Sequence, residues 1–466
     1  MPKLDMQRVR NVHFIGIGGC GMSAIAKILF EMKFKVSGSD SRENPNTMRL
    51  KDLGIKVLIG HKATNVRGAD IIIYSSAIPE NNVELVAAVT KDIKIIKRAQ
   101  MLAWIMEQST QKIAIAGTHG KTTTTAMLAK VLDLANFNPT FLIGCDMDYA
   151  EGNAKLGAGA FVVAEADESD SSFLFLSPTI SVITNIEDDH MERFGSIEKV
   201  VDTFEEFANN TAEEGFIVID PNNENNRTIM KRVKRRFITY GLSGEVQYKA
   251  ENLVFHSFNT SYSLVKEGNV VGQVELSVPG WQNVVDSLAV FAVCFELGLE
   301  FNTIAAGLHT FIGARRRFQT VGEYKNVLII DDYAHHPTEI QATLSAARSG
   351  WPNRRIICIF QPHRYSRTML LKDRFSAAFD AADKIIITDI YAASEKPIHG
   401  ISGKTIVDGI KDKDVLYVAK KENIADKILD IIKDGDIILT LGAGDIYTVG
   451  KEILSRLKLK DEIPAL

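Results

Sequence analysis

The sequence predicts an α/β protein built from three successive units. Short apolar runs alternate with helix-length stretches almost throughout, the rhythm of parallel strands joined by helices. That rhythm restarts twice, near Lys112 and near Val327. The length, 466 residues, is about three domains at roughly 150 residues each.

In the first unit, strands are expected over 12–15, 35–37, 70–74 and 93–96, with helices over 21–31, 84–90 and 98–107. The second opens with a strand over 112–116 and a helix from Lys121, and continues through strands near 161–164 and 180–184. Between Val246 and Val278 the pattern shortens to alternating strands with turn residues such as Gly268-Asn269, which reads as a small antiparallel addition. The third unit has strands over 327–330, 355–360, 384–388 and 437–441. Short linkers at 108–111 and 311–317 place the units at 1–108, 109–313 and 314–466. The first and third are expected to be Rossmann-like, the second a phosphate-loop ATPase-like domain.

Composition excludes several classes. The chain has 54 Lys and Arg against 58 Asp and Glu, a net charge of −4, so no global field attracts nucleic acid. No apolar run approaches the roughly 20 residues that span a bilayer. The start, Met1-Pro-Lys-Leu-Asp, lacks a signal-peptide pattern. Cys20, Cys145, Cys294 and Cys358 lie too far apart for CxxC metal spacing or a disulfide framework. A reducing cytoplasm is the expected setting, and a monomer or homodimer the expected state. The basic run Lys231 to Arg236 reads as a solvated helix end.

Two glycine loops carry the chemistry. Gly16-Ile-Gly18-Gly19-Cys-Gly21-Met22-Ser23 lies between a strand and a helix, where backbone amides can approach a diphosphate. Asp40, 19 residues after Gly21, stands where an acid would meet a ribose hydroxyl. The second loop is Gly117-Thr118-His119-Gly120-Lys121-Thr122-Thr123, again after a strand. Its amides and Lys121 would hold β- and γ-phosphates, and the Thr122 hydroxyl would ligate Mg²⁺. It is a short variant, because the strict pattern places a glycine where Ile115 stands. Two strand ends supply acids nearby, Glu165-Ala-Asp167-Glu168-Ser-Asp170 and Asn185-Ile-Glu187-Asp188-Asp189-His190. A third polar cluster gathers Arg315 to Arg317, Asp331-Asp332-Tyr333-Ala-His335-His336-Pro-Thr-Glu339 and Gln361-Pro-His363-Arg364-Tyr-Ser-Arg367, suited to binding phosphate or carboxylate. A hydride-transfer enzyme needs only the first loop, and a simple ATPase only the second. An enzyme that spends ATP on a nucleotide-linked substrate needs both.

These segments, with Ser75-Ser76-Ala77 and Leu441-Gly-Ala-Gly-Asp445, resemble the ATP-dependent Mur ligases of peptidoglycan synthesis, in that family's order along nearly the whole chain. The resemblance implies that the first unit takes a UDP-linked muramoyl substrate, the second ATP and the third the amino acid. Gly117 to Thr123 and Asn283 would bind ATP, with Arg317 reaching it from the third unit. Lys121 would stabilise the transferred phosphoryl group. Thr122, Glu165 and His190 would hold Mg²⁺, as two ions. Gly16, Gly18, Gly19, Gly21, Met22, Ser23, Asp40, Ser75, Ser76 and Ala77 match the UDP site. Tyr333, His335, Arg364 and Arg367 match positions near the muramoyl carboxylate and amino acid. The segment 361–367 differs from that of the branch recycling murein tripeptide and favours UDP-N-acetylmuramate, L-alanine and ATP as substrates. His335 and His190 are both candidates for the base that deprotonates the amine. Gln282 stands where the family usually has His, Gln100 where many members have Glu, and Ala334 where Gly is frequent. A nicotinamide-dependent oxidoreductase and a nucleotide-gated regulator are the competing readings. Neither uses all three clusters.

Overall fold

The fold, taken from a computed structural model that describes residues 4–147, 152–393 and 395–462, is organised by three sheets. The first contains β1 (Asn11–Ile15), β2 (Lys35–Asp40), β3 (Lys56–Ile59), β4 (Ile71–Tyr74) and β5 (Lys94–Lys97). Its order is β3-β2-β1-β4-β5 and every pairing is parallel. The strand order reverses at β1, so a crevice opens at its carboxyl end, where the first glycine loop lies.

The second sheet has ten strands: β6 (Gln111–Ala116), β7 (Thr140–Met147), β8 (Gly152–Lys155), β9 (Phe161–Glu165), β10 (Ile180–Ile183), β11 (Phe216–Ile219), β12 (Arg236–Gly241), β13 (Tyr248–His256), β14 (Asn259–Lys266) and β15 (Asn269–Leu276). Their order is β15-β14-β13-β12-β11-β10-β6-β9-β7-β8. The expected antiparallel addition is β13 to β15, which extends the parallel sheet edge to edge through the β12–β13 pair. An antiparallel pair at the opposite end, β7 with β8, has no counterpart in the sequence reading. Apolar alternation is absent from Gly152-Asn-Ala-Lys155, so nothing local marks it as a strand.

The third sheet orders β16 (Gln319–Tyr324), β17 (Val327–Asp332), β18 (Ile356–Phe360), β19 (Lys384–Ile387), β20 (Asp414–Tyr417) and β21 (Ile437–Leu441) as β16-β17-β21-β18-β19-β20. The edge strand β16 is antiparallel to β17, and the other pairings are parallel.

The strands β1, β6, β10, β17, β18 and β21 are near-continuous apolar runs with side chains at or near zero exposure, as expected for strands covered on both faces. The helix Cys20–Glu31 buries Ile25, Ile28 and Leu29 in one cluster with Leu142 and Ala154 of the second sheet, so the first two units share a core. The helices Lys121–Leu134 and Trp281–Glu296 cover the other face of the second sheet. The third unit has its own cores on both faces of its sheet. No described helix is long and apolar enough to cross a membrane. In the basic run, Arg232 pairs with Asp202 and Glu205, Arg235 donates to the Asn209 and Thr211 carbonyls, and Arg236 pairs with Glu296. These are ties within the unit.

Candidate active site

The second glycine loop is shaped by the strand beside it. Thr118 donates its amide to the Asn185 carbonyl at 2.8 Å, and His119 to the Asn185 Oδ1 at 2.9 Å. The Thr118 Oγ1 accepts from the Glu187 amide at 2.8 Å, so that hydroxyl braces the loop. Gly117 has φ 138°, and a Cβ there would sit 1.9 Å from the Thr184 Oγ1. Gly120 has φ 85°, so both positions require glycine. The helix Lys121–Leu134 then begins, its free amides facing the loop.

Lys121 Nζ donates to the Gly117 and Thr118 carbonyls and to Glu168 Oε1, the last at 2.9 Å. Burial alone lowers an ammonium pKa, but Glu168, Glu165 and Asp167 raise that of Lys121, keeping its charge. Thr122 Oγ1 lies 3.0 Å from both oxygens of Glu165, and the Gly144 amide holds Glu165 Oε2 at 2.7 Å. This hydroxyl and carboxylate are hard oxygen donors on adjacent elements, a set that fits Mg²⁺. Glu165 ends β9 and the loop follows β6, so the sheet register brings them together.

In the first loop, Gly16 and Ile17 donate their amides to the Ser39 carbonyl at 2.8 and 3.0 Å. Asp40 Oδ2 accepts from the Gly18 amide at 2.9 Å, so Asp40 braces the turn. Met22 and Ser23 turn inward, at 2% and 4% exposure. Their side chains pack in the shared core or meet Cys20 and Asn153, so only their backbone can face a ligand. Ser76 donates to Asp170 at 3.0 Å and Arg98 to Asp167 at 3.1 Å, joining the first unit to the acidic segment of the second. Gln100, at the position where an acid is common, caps its own helix by accepting from the Lys97 amide.

A cavity of about 1200 Å³ has walls from all three units: Gly18 and Gly21, Lys121 and Thr122, Glu165, Arg317 and Tyr333. A second, of about 610 Å³, runs from His119, Gly120 and Thr123 past Asn283 and Asp286 to Arg317 and Glu339. Both volumes suit ligands of nucleotide size. Asn283 Nδ2 donates to the Pro279 carbonyl at 2.7 Å, leaving its oxygen for the cavity. Arg317 lines both cavities, with its guanidinium 5.4 Å from the Tyr333 ring centre and 3.6 Å from Glu339.

Of the predicted residues, His190, His335, Arg364 and Arg367 lie in a cluster between the second and third units. Arg367 donates to Asp189 at 3.0 Å and Arg364 to Glu192 at 2.8 Å. His190 stands between those acids, 3.7 Å from Asp189 and 3.8 Å from Glu192. Burial lowers its pKa, but Glu192 and Asp189 outweigh that and raise it. His335 Nδ1 faces the Tyr333 carbonyl at 3.0 Å, and burial pushes its pKa down to about 4. Sequence reasoning missed Asp286, Gly120's close neighbour. A charged residue inside the apolar stretch 284–294 was the available signal.

Glycine loops at the carboxyl ends of parallel strands, a loop lysine, and a cavity shared by three units define a nucleotide-dependent ligase in form. The chain matches three family profiles in succession: Mur ligase family, catalytic domain, over 11–110; Mur ligase middle domain over 115–294; and Mur ligase, glutamate ligase domain, over 316–444. The protein belongs to the Mur ligase family, whose members are ATP-dependent ligases. It is similar to the UDP-N-acetylmuramate–L-alanine ligase of Geotalea uraniireducens (strain Rf4), 46% identical over 97% of this chain and 99% of that one. The ligase of the same name from Geobacter sulfurreducens is 45% identical, over 97% and 98% of the two chains. Among solved structures, the UDP-N-acetylmuramate–alanine ligase of Thermotoga maritima superposes with a TM-score of 0.84 at 32% identity, covering 97% of this chain and 99% of that one.

Proposed function

We propose that this protein joins L-alanine to the lactyl carboxylate of UDP-N-acetylmuramate, converting ATP to ADP and phosphate, in the cytoplasm. The observation that carries the reading is the cavity whose walls bring Gly18 and Gly21 of the first loop to Lys121, Thr122, Glu165 and Arg317. The likeness to alanine-adding ligases over nearly the full chain supports the choice of substrates. The units at 1–108, 109–313 and 314–466 each take one substrate.

An amide does not form from a free carboxylate in water without activation. A lactyl oxygen attacks the γ-phosphorus, the bond to the β-bridging oxygen breaks, and ADP leaves an acyl phosphate. Lys121 and Arg317 flank the phosphoryl group and offset its charge. Thr122 and Glu165 would hold Mg²⁺, and a second ion would draw on His190. Mg²⁺ held there would supply positive charge to offset that of the phosphates. The alanine nitrogen then attacks the acyl carbon, the carbon–oxygen bond breaks and phosphate leaves. We assign the base to His335, because its Nδ1 is turned to the Tyr333 carbonyl and its Nε2 remains to take the ammonium proton. Arg364 and Arg367 orient the alanine carboxylate.

The test is phosphate release by purified protein. It should require UDP-N-acetylmuramate, L-alanine and Mg²⁺-ATP together. Release without the muramoyl nucleotide, or equal rates with a large amino acid in place of alanine, would overturn the reading.

A further inference from the structure

We propose that His119, Glu187 and His336 form a transition-metal site of the zinc type, and that an ion bound there ties the phosphate loop to the third unit. One donor atom from each of the three lies within 4.8 Å of the others. The two imidazole rings are 4.9 Å apart at 40°. Both nitrogens of His119 and the Nε2 of His336 are buried without a hydrogen-bond partner. Buried polar atoms left unpaired are uncommon and call for a ligand or a reason.

The chain placement makes this a bridge. His119 belongs to the loop after β6 and Glu187 follows β10, both in the second unit. His336 caps the helix Pro337–Gly350 of the third unit, its Nδ1 accepting from the Thr338 amide at 3.4 Å. That cap leaves Nε2, buried and without a hydrogen-bond partner, as the nitrogen free to ligate. Glu187 Oε2 stands 3.6 Å from His119 Nε2, and Glu339 Oε1 stands 3.3 Å from His119 Nδ1. Thr338 Oγ1 donates to Glu187 at 2.8 Å, which orients that carboxylate. Arg374, 3.6 Å from Glu187, lies on the exposed rim.

Two imidazoles and one carboxylate with further positions open are donors for Zn²⁺, Co²⁺ and related ions. Mg²⁺ prefers oxygen donors, which Thr122 and Glu165 both offer, whereas two of the three donors in this cluster are imidazole nitrogens. The two sites therefore separate by ligand chemistry. An ion bridging the two units holds them in one arrangement, so its occupancy slows a reaction that needs substrates to enter between them.

Co²⁺ is the probe, added to the full chain in excess Mg²⁺ so that the oxygen site is filled. The expected result is one visible absorption band of four- or five-coordinate Co²⁺, saturating at one equivalent and displaced by Zn²⁺. His336→Asn, which keeps a capping side chain, should weaken Co²⁺ binding by about 10-fold or more, and so should Glu187→Gln. No band in the wild type, or equal affinity in two variants with native circular dichroism, overturns the site. The functional consequence rests on the ligase reading and is checked separately. Zn²⁺ should inhibit phosphate release, and His336→Asn should need about 10-fold more Zn²⁺ for the same fractional inhibition. Equal sensitivity in the variant overturns the bridge while leaving the ligase reading intact.

Discussion

Replacing Asp286 by Asn should stabilise this protein, and by an amount that depends on pH. Asp286 sits on the helix Trp281–Glu296 at 7% exposure, and its Oδ1 accepts from the Thr124 Oγ1 at 3.1 Å. Burial pushes its pKa from 3.8 up to about 7, against the opposing pull of Thr124 and Arg317. Below about pH 4 the carboxyl is neutral whether the chain is folded or not. Between about pH 4 and 7 the unfolded chain gives up the proton while the folded one keeps it, so stability falls as pH rises. Above about pH 7 the whole penalty is present, about 4 kcal/mol for about three pKa units. Asn keeps an acceptor for Thr124 and has no charge to bury. In a domain of about 200 residues each kcal/mol shifts the melting midpoint by about 2–4 °C, so the gain at about pH 8 is at most about 16 °C. Scanning fluorimetry from about pH 4 to about pH 8 reads it directly. A variant that melts with a constant offset across that range, or below the wild type at about pH 8, would refute the burial argument.

Lys121→Ala should lower phosphate release by about 10³-fold or more, with UDP-substrate binding intact by calorimetry. Thr122→Val should raise the Mg²⁺ concentration for half-maximal turnover by about 10-fold, measured by Mg²⁺ titration of the rate. His335→Gln should lower kcat by about 10²-fold or more, with little change in ATP binding measured by fluorescence of a nucleotide analogue. Glu84, held near pKa 2 by His13, Ser39 and Asn65 despite its burial, contributes stability that is present above about pH 4.5 and lost as pH falls through 2. Glu84→Gln should therefore lose about 3 kcal/mol at neutral pH, with a difference that closes in acid, measured by thermal melts.

Much of this architecture is legible in the residues because strands buried on both faces are written as unbroken apolar runs. Leu328-Ile-Ile330 and Ile437 to Leu441 are examples, and their ends locate the loops. Strand β3 and the pair β7–β8 were not legible. Lys56–Ile59 is a short run with no buried residue at the sheet's edge, and Gly152–Lys155 is a strand only because β7 lies beside it. At the site, loop glycines and Lys121 announce themselves by spacing. The partners of those groups do not, because they arrive from distant segments. Glu168 meets Lys121 across 47 residues, and Arg367 meets Asp189 across 178. The motif also does not tell that the side chains of Met22 and Ser23 are buried, at 2% and 4% exposure. Helical phase after a glycine turn decides which side chains face inward, and that phase is set by packing against the second unit.

The position of β6 inside the second sheet has a consequence for synthesis. Its neighbours are β10 and β9, both made later, and the amides of Thr118 and His119 are held by Asn185 beyond β10. A nascent chain that has left the ribosome only as far as Leu134 carries the whole phosphate-loop motif but none of the scaffold that shapes it. Nucleotide therefore cannot stabilise the early intermediate. It becomes a folding ligand only once Asn185 has emerged, and Asn283 and Arg317 strengthen that hold later still. The loop that defines the enzyme is thus made before the strand end that gives it its shape.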